Sequence, residues 1–202
     1  MNIKWSYWVY DKAVAPEICD KIIDLLVKSK KDYGTIGGIK ETKSKKDKKD
    51  LFEFRKSHVA FRKDPFLYRT IHPFVNDANQ KAGWNFQWDT SEECQLTKYG
   101  KGQYYNWHMD AWPEPYKEGV YKGKIRKLSS VLVLNNASEY EGGELQFSYD
   151  LNYEKTQIES PEFMKNKGSI VVFPAFVWHR VKHVKKGNRF SLTNWHLGNP
   201  YV

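Results

Sequence analysis

Apolar positions change their spacing near residue 84. Before that point they recur at helical intervals, and after it they gather in short alternating or wholly apolar runs. Within residues 16–30, Ile18, Ile22, Leu25 and Leu26 make one apolar stripe, and Pro16 suits a first helical position, where its missing N–H costs nothing. The spacing predicts a helix there. Gly34, Gly37 and Gly38 end that region and lead into six lysines within Lys40 to Lys49. Residues 51–61 alternate enough to predict a strand. Asp64 followed by Pro65 reads as a cap and a first-turn proline. A second helix is expected to run on to about Gly83, bent at Pro73 where the backbone loses a donor.

From Trp84 onward the pattern predicts strands at 94–99, 104–110, 128–134, 144–149, 169–173, 179–184 and 189–195. Turn signals stand between many of them: Tyr-Gly-Lys-Gly at 99–102, Glu-Gly-Gly at 141–143 and Lys-Gly-Asn at 186–188. Helices followed by short strands predict an α+β fold whose larger part is a sandwich or jelly roll. The expectation is a single domain over 1–202, with supporting helices in 1–83 and the β core in about 84–197.

Composition narrows the class. No window approaches the length of an apolar membrane span, and the start lacks the apolar stretch of a signal peptide. Cys19 and Cys94, far apart in sequence, predict reduced thiols and a cytoplasmic protein. The formal charge of +9 favours acidic partners, nucleic acid included. Part of that excess sits in the lysine run, whose simplest reading is a solvated loop.

Chemistry first shows at Trp-His-Met-Asp-Ala, residues 107–111. In a strand, side chains two apart point to the same face, so His108 and Asp110 would project together, with Met109 packing on the opposite face. Alone, two such residues are a weak signal. His179 opens a later strand after the buried-looking segment 168–175. Two histidines and one carboxylate on strands of a β-rich fold are the facial triad of non-haem iron(II) oxygenases, which leaves open positions for a bidentate co-substrate and O₂. Arg189, Ser191, Thr193 and Trp195 share a face by strand period. An inward guanidinium needs an anion, and no acid in that segment supplies one.

These residues resemble the 2-oxoglutarate- and iron(II)-dependent dioxygenases, specifically their prolyl 4-hydroxylase-like, PKHD-type branch. Residues 9–23 look like its opening helix, and Arg55-Lys56-Ser57 resembles its Arg-x-Ser strand. Residues 95–111 resemble its Q-x-x-x-Y-x-x-G-x-x-Y-x-x-H-x-D stretch, residues 128–147 its Gly-Gly-Glu-Leu element, and residues 168–195 its closing His, Arg and Trp. The resemblance implies a double-stranded β-helix with His108, Asp110 and His179 on Fe(II). It implies Arg189 on the distal carboxylate of 2-oxoglutarate, Tyr99 hydrogen-bonded to that co-substrate, and Ser191 as a weaker candidate for the same role. Trp195 matches a tryptophan near the site or belongs to the core.

The implied reaction consumes O₂ and 2-oxoglutarate, with ascorbate as a supporting reductant, and returns succinate, CO₂ and a hydroxylated product. Retention of Asp110 favours hydroxylation over halogenation. His183 stands where many relatives have proline and reads as structural or exposed, and His58, His72 and His196 have no ligand-like context. The substrate implied first is a prolyl residue in a peptide or protein. A free amino acid, a small molecule or nucleic acid remain open, as does a silent basic β-sandwich that only binds. Residues 34–50 occupy the place of a substrate-covering loop.

Overall fold

The computed structural model describes residues 4–29, 32–33, 53–148 and 158–201. The lysine run and the substrate-covering loop expected over 34–50 lie outside the described residues. In chain order the first half carries β1 (Trp8–Tyr10), α1 (Pro16–Val27), β2 (Asp32–Tyr33), β3 (Arg55–Lys56), β4 (His58–Arg62) and α2 (Pro65–Lys81). Next come β5 (Thr90–Ser91), β6 (Cys94–Tyr99), β7 (Tyr104–His108), β8 (Ile125–Val133), β9 (Tyr140–Gly142) and β10 (Leu145–Ser148). The chain closes with β11 (Ile158–Glu159), β12 (Ile170–Pro174), β13 (Trp178–Val181), β14 (Val184–Gly187) and β15 (Arg189–Gly198).

The strands form a double-stranded β-helix. A large sheet runs β1-β12-β8-β15-β6-β4-β2, with β5 added against β15, and a smaller one runs β11-β10-β13-β7-β3. A third, two-stranded sheet pairs β14 with β9, and all the pairings are antiparallel. The large sheet is buried on both faces. From β8, Leu128 and Leu132 point to the helices, while Val131 and Val133 point to the small sheet. From β12, Ile170 and Val172 face the helices, and Val171 and Phe173 face Phe147, Leu145 and Val181. Period-2 alternation with apolar residues on both sides explains why these strands read as continuous apolar runs.

Both helices form where their apolar stripes predict. Cys19, Ile22 and Leu26 of α1 and Leu67, Ile71, Val75 and Ala78 of α2 are buried against the large sheet. The Asp64 carboxylate accepts the Phe66 N–H at 2.9 Å, capping α2. That helix runs through Pro73 as one element, because the buried stripe on either side offsets one lost backbone bond. Among the described residues no helix is long and apolar enough to cross a membrane.

Several boundaries differ from the sequence reading. Residues 53–54 are helical, and the strand expected over 51–61 divides into β3 and β4, which join different sheets. The strand over 179–184 divides into β13 and β14, because β14 leaves the small sheet to pair with β9. The strand over 104–110 stops at His108, so Asp110 lies just beyond it. Strand β1 was not expected. It pairs with β12 and closes an edge of the large sheet.

Truncating a side chain that both helices and strands enclose should be costly. Leu132→Ala, at a fully buried position, is expected to destabilise the fold by about 2–5 kcal/mol, while Val120→Ala, 91% exposed, should change it by less than about 0.5 kcal/mol. Denaturant midpoints of the two variants test this, and equal midpoints would contradict the assigned core.

Candidate active site

Strands β7 and β13 are neighbours in the small sheet, and their register sets His108 directly opposite His179. The rings tilt towards one another with centroids 4.1 Å apart. Each imidazole is aimed by its own backbone. Nδ1 of His108 lies 2.8 Å from the Asn106 carbonyl, and Nδ1 of His179 lies 2.9 Å from the Val177 carbonyl. A carbonyl only accepts, so Nδ1 carries the proton in both and the Nε2 lone pairs are free. Those lone pairs converge on Asp110, whose carboxylate oxygens lie 3.8 Å from Nε2 of His108 and 3.5 Å from Nε2 of His179. One ligand atom from each residue falls within 4.8 Å of the others, and all three residues are buried.

Asp110 is placed by the large sheet although it follows a strand of the small one. Its backbone N–H and that of Ala111 both donate to the Ala175 carbonyl, at 2.9 and 2.8 Å. Ser129 of β8 donates its hydroxyl to the Asp110 carboxylate at 2.7 Å. Burial pushes the Asp110 carboxyl up. The two imidazoles, the Arg126 guanidinium and the Ser129 hydroxyl outweigh burial and hold it below the ordinary carboxylate value. Burial and the neighbouring His179 push His108 well below the ordinary imidazole value, so it stands neutral. Two imidazoles that present Nε2 and one ionised carboxylate form a donor set that a metal can use.

Two register shifts shape the surroundings. Between His108 and Tyr105, β7 spends three residues where β13 spends two. This bulge turns Tyr105 onto the face of His108, and the rings stack with centroids 3.5 Å apart and an interplanar angle of 14°. Arg55 lies over the Tyr105 ring, 4.4 Å from its centroid, and donates through Nε to Ser57 at 2.9 Å. In β8 the shift falls at Lys127: Leu128 pairs with His196 and Arg126 with Leu197. Arg126 is thereby turned inwards, over the Trp195 ring at 4.1 Å. Its Nε and Nη2 each donate to the Glu92 carboxylate at 2.6 Å, and Nη1 donates to the Asp110 carbonyl at 3.3 Å.

Sequence reasoning missed Arg126 and Glu92. The only signal was a charged pair of residues just before an apolar run. Met109 also departs from expectation. It was expected to pack on the opposite face; instead it is 37% exposed and lines the mouth, because the chain leaves the sheet at His108.

The remaining expected residues lie one step deeper. Arg189, Tyr99, Ser191 and Thr193 line a narrow pocket with the three candidate ligands. Arg189 is 2% exposed, donates to the Ser191 hydroxyl at 3.2 Å, and sits 5.6 Å from the Tyr99 ring centroid. Among the described residues it has no carboxylate partner. Gly143 passes so close that a Cβ there would meet the Val184 side chain at 2.9 Å and the Arg189 side chain at 3.1 Å, and its φ of +69° also favours glycine. Trp195 lies between this pocket and an outer cavity of about 410 Å³ lined by Trp107, Met109, Trp112, Trp178, Phe54 and Arg55 among others. His183 is exposed and stacks on Tyr104, 4.0 Å between centroids.

Comparison with known proteins places the chain in a family. A PKHD-type hydroxylase of Idiomarina loihiensis is 30% identical over 100 residues, which are 50% of this chain and 39% of that protein. One of Psychrobacter is 32% identical over 101 residues, 50% of this chain and 36% of that protein. The matched region is thus about four tenths or less of those relatives' length. Among solved structures, a prolyl hydroxylase of Trichoplax adhaerens in complex with a hypoxia inducible factor peptide fragment has a TM-score of 0.68 at 15% identity, covering 95% of this chain and 83% of that one. A viral collagen prolyl hydroxylase from Paramecium Bursaria Chlorella virus-1 has a TM-score of 0.60 at 18% identity, covering 96% and 97%. At these identities the structures speak for the fold. The profile of the 2OG-Fe(II) oxygenase superfamily matches residues 94–197, half of the chain, which carries every candidate ligand. The chain belongs to the 2OG-Fe(II) oxygenase superfamily.

Proposed function

We propose that the chain is an Fe(II)- and 2-oxoglutarate-dependent dioxygenase that hydroxylates a prolyl residue in a peptide or protein. The observation that carries the reading is the placing of His108, Asp110 and His179 around one point, beside a buried Arg189 that has no acid partner among the described residues. The donor set, two imidazoles and one carboxylate, suits Fe(II), and the Arg189 guanidinium suits a carboxylate of the co-substrate. Fe(II) bound there supplies the redox chemistry that couples O₂ and 2-oxoglutarate to hydroxylation, with ascorbate as a supporting reductant.

The chain's own residues do the positioning. The Asn106 and Val177 carbonyls fix which imidazole nitrogen is offered, and Ser129 fixes the Asp110 carboxylate. Arg189 pairs with the distal carboxylate of 2-oxoglutarate, with the Tyr99 and Ser191 hydroxyls as further partners. Burial of Arg189 strengthens that pairing, since water does not compete. Trp195 and Tyr105 separate the co-substrate pocket from the mouth and limit water entry. The aromatic mouth accommodates an extended peptide, a substrate class supported by the prolyl hydroxylases that share this fold. The two buried free thiols, Cys19 and Cys94, suit a cytoplasmic setting.

Arg189→Ala is expected to weaken 2-oxoglutarate binding by about 2–4 kcal/mol while leaving metal affinity largely unchanged. Calorimetric titration of each ligand checks this, and unchanged 2-oxoglutarate affinity would remove Arg189 from the role. Ser129→Ala frees the Asp110 carboxylate and should lower Mn(II) affinity by about 10-fold or more. The whole reading is tested by succinate formation with Fe(II), ascorbate and a panel of proline-containing peptides, scored for gain of one oxygen by mass spectrometry. Loss of 2-oxoglutarate turnover in Asp110→Ala is expected, and equal turnover would sink it. Succinate formation with no peptide oxidised would leave the chemistry standing and overturn the substrate class.

A further inference from the structure

On the helix side of the large sheet, two histidines that the active site does not use converge on one hydroxyl. His72 of α2 places Nε2 3.2 Å from Ser91 Oγ, and His196 of β15 places Nδ1 2.9 Å from the same atom. His196 reaches on through Nε2 to Ser130 Oγ at 3.2 Å, and Ser130 donates to the Asn194 carbonyl at 3.3 Å. With both imidazoles neutral, one proton arrangement satisfies every group. His72 Nε2–H donates to Ser91, Ser91 O–H donates to His196 Nδ1, His196 Nε2–H donates to Ser130, and Ser130 O–H donates to Asn194. That arrangement requires a neutral His196, because a proton on Nδ1 would face the Ser91 O–H. His196 and Ser130 are fully buried, and His72 is half-buried at the rim.

The residue after Ser91 is Glu92, the acid that holds Arg126 against Trp195 at the mouth. Glu92 is fixed from the same side as Ser91. Its N–H donates to the Trp195 carbonyl at 3.0 Å, and its own carbonyl accepts from Asn194 at 2.8 Å and from the Tyr68 hydroxyl at 3.1 Å. A displacement of Ser91 therefore reaches the Arg126 guanidinium through one peptide unit and one bidentate ion pair.

We propose that the His72–Ser91–His196 cluster is an acid-sensitive latch, which holds β5 while its imidazoles are neutral and frees Glu92 and Arg126 from the mouth when they charge. The device goes beyond the proposed reaction and does not depend on the substrate. Around the two rings, α2 presents Tyr68, the segment before β5 presents Asp89, β5 leads into Glu92, and the 112–124 loop presents Tyr121. Asp89 is bound by Lys124, Glu92 by Arg126, and the Tyr68 and Tyr121 hydroxyls lie on the Glu92 and Ser91 carbonyls. Strands β8 and β15 offer only the uncharged Ser130 and Asn194. Among the described residues neither imidazole is paired with a carboxylate, so nothing compensates a positive charge placed there. Burial holds both imidazoles below their ordinary value of 6.5, and His72 pushes His196 further down. As pH falls the unfolded chain takes up protons first. The stabilisation is therefore complete above pH 6.5 and is lost below it, towards the folded-state values.

Trp88 and Trp195 give separate signals for the two ends. Trp88 contacts both rings, at 5.1 and 4.9 Å between centroids, whereas Trp195 carries Arg126. The protein labelled with 5-fluorotryptophan and saturated with Zn(II), so that the candidate metal ligands do not titrate, would be followed by ¹⁹F NMR from about pH 7.5 to about 5. Each resonance is assigned by its Trp→Phe variant. The Trp88 and Trp195 resonances are expected to move together with one midpoint below pH 6.5. His196→Gln should flatten both movements. His72→Gln should shift their common midpoint upwards, because a nearby positive charge no longer opposes protonation of His196. A Trp195 resonance that stays still while Trp88 titrates would overturn the latch, as would a Trp195 movement that neither substitution alters, or the absence of any change before global unfolding. If His196→Gln does not fold, the His72→Gln shift decides the matter.

Discussion

The site and the sandwich around it depend on keeping one buried carboxylate ionised. An anion out of water must be paired or hydrogen-bonded on every side. Asp110 meets that demand from both sheets at once: a hydroxyl from β8, two imidazoles from β7 and β13, and a guanidinium behind its own carbonyl. Its backbone is tied to the turn after β12. Four strands of two sheets are therefore brought to one point by a single side chain and its peptide. Leaving that carboxylate without its partners would cost several kcal/mol, a large share of the stability of a domain this size.

Two arginines near that carboxylate show how pairing decides chemistry. Arg126 has a full carboxylate partner in Glu92, so its charge is internally neutralised and its work is to hold a position. Among the described residues Arg189 has no carboxylate partner; its polar contact is the Ser191 hydroxyl, and the Tyr99 ring lies beside it. A buried guanidinium without an acid is expensive unless a ligand anion completes it. The chain's overall charge of +9 is unrelated to this distinction. Much of it lies on exposed side chains, where screening leaves little local effect.

The sequence was legible where its periodicity was regular. Strand β6 spans the expected residues 94–99, and β8, β12 and β15 begin within three residues of expectation, because each has a regularly spaced apolar face towards the helices. The gathering of His108, Asp110 and His179, with Arg189 and Tyr99 in the same pocket, was legible through their ordered spacing, which survives without knowledge of the exact strand ends. What the sequence hid were the breaks in parity. A bulge adds one residue to one strand and leaves no mark in composition. Parity alone puts Tyr105 on the wrong face of β7 and Arg126 on the wrong face of β8. Counting by twos from His108 sends Tyr105 away from the imidazole on which it stacks. Strand β1 was hidden for a different reason: three residues are too short for any period, and its strand character comes from pairing with β12.

Strand β15 shows why so many functions lie so close together. Its odd positions, Arg189, Ser191, Thr193 and Trp195, line the space between the sheets, and its even positions, Leu192, Asn194 and His196, face the helix side. Any force on one face is carried to the other within a single residue, about 3.4 Å along the strand. The two faces differ in what they tolerate. The inner face must keep charges that a ligand completes, whereas the helix face is apolar except around His196 and has nothing to complete a charge. Polar side chains at Ser130, Asn194 and His196 weaken the apolar packing that a leucine or valine would give, and hydrogen bonding recovers only part of that loss. Their retention is accounted for by what they grip. Ser91 ends, and Glu92 follows, a two-residue strand too short to hold itself in place by backbone bonds alone, and the grip comes from these side chains. The polar patch on the helix side is thus the anchor for an ion pair on the other side of the sheet, and the mouth of the site is set from behind.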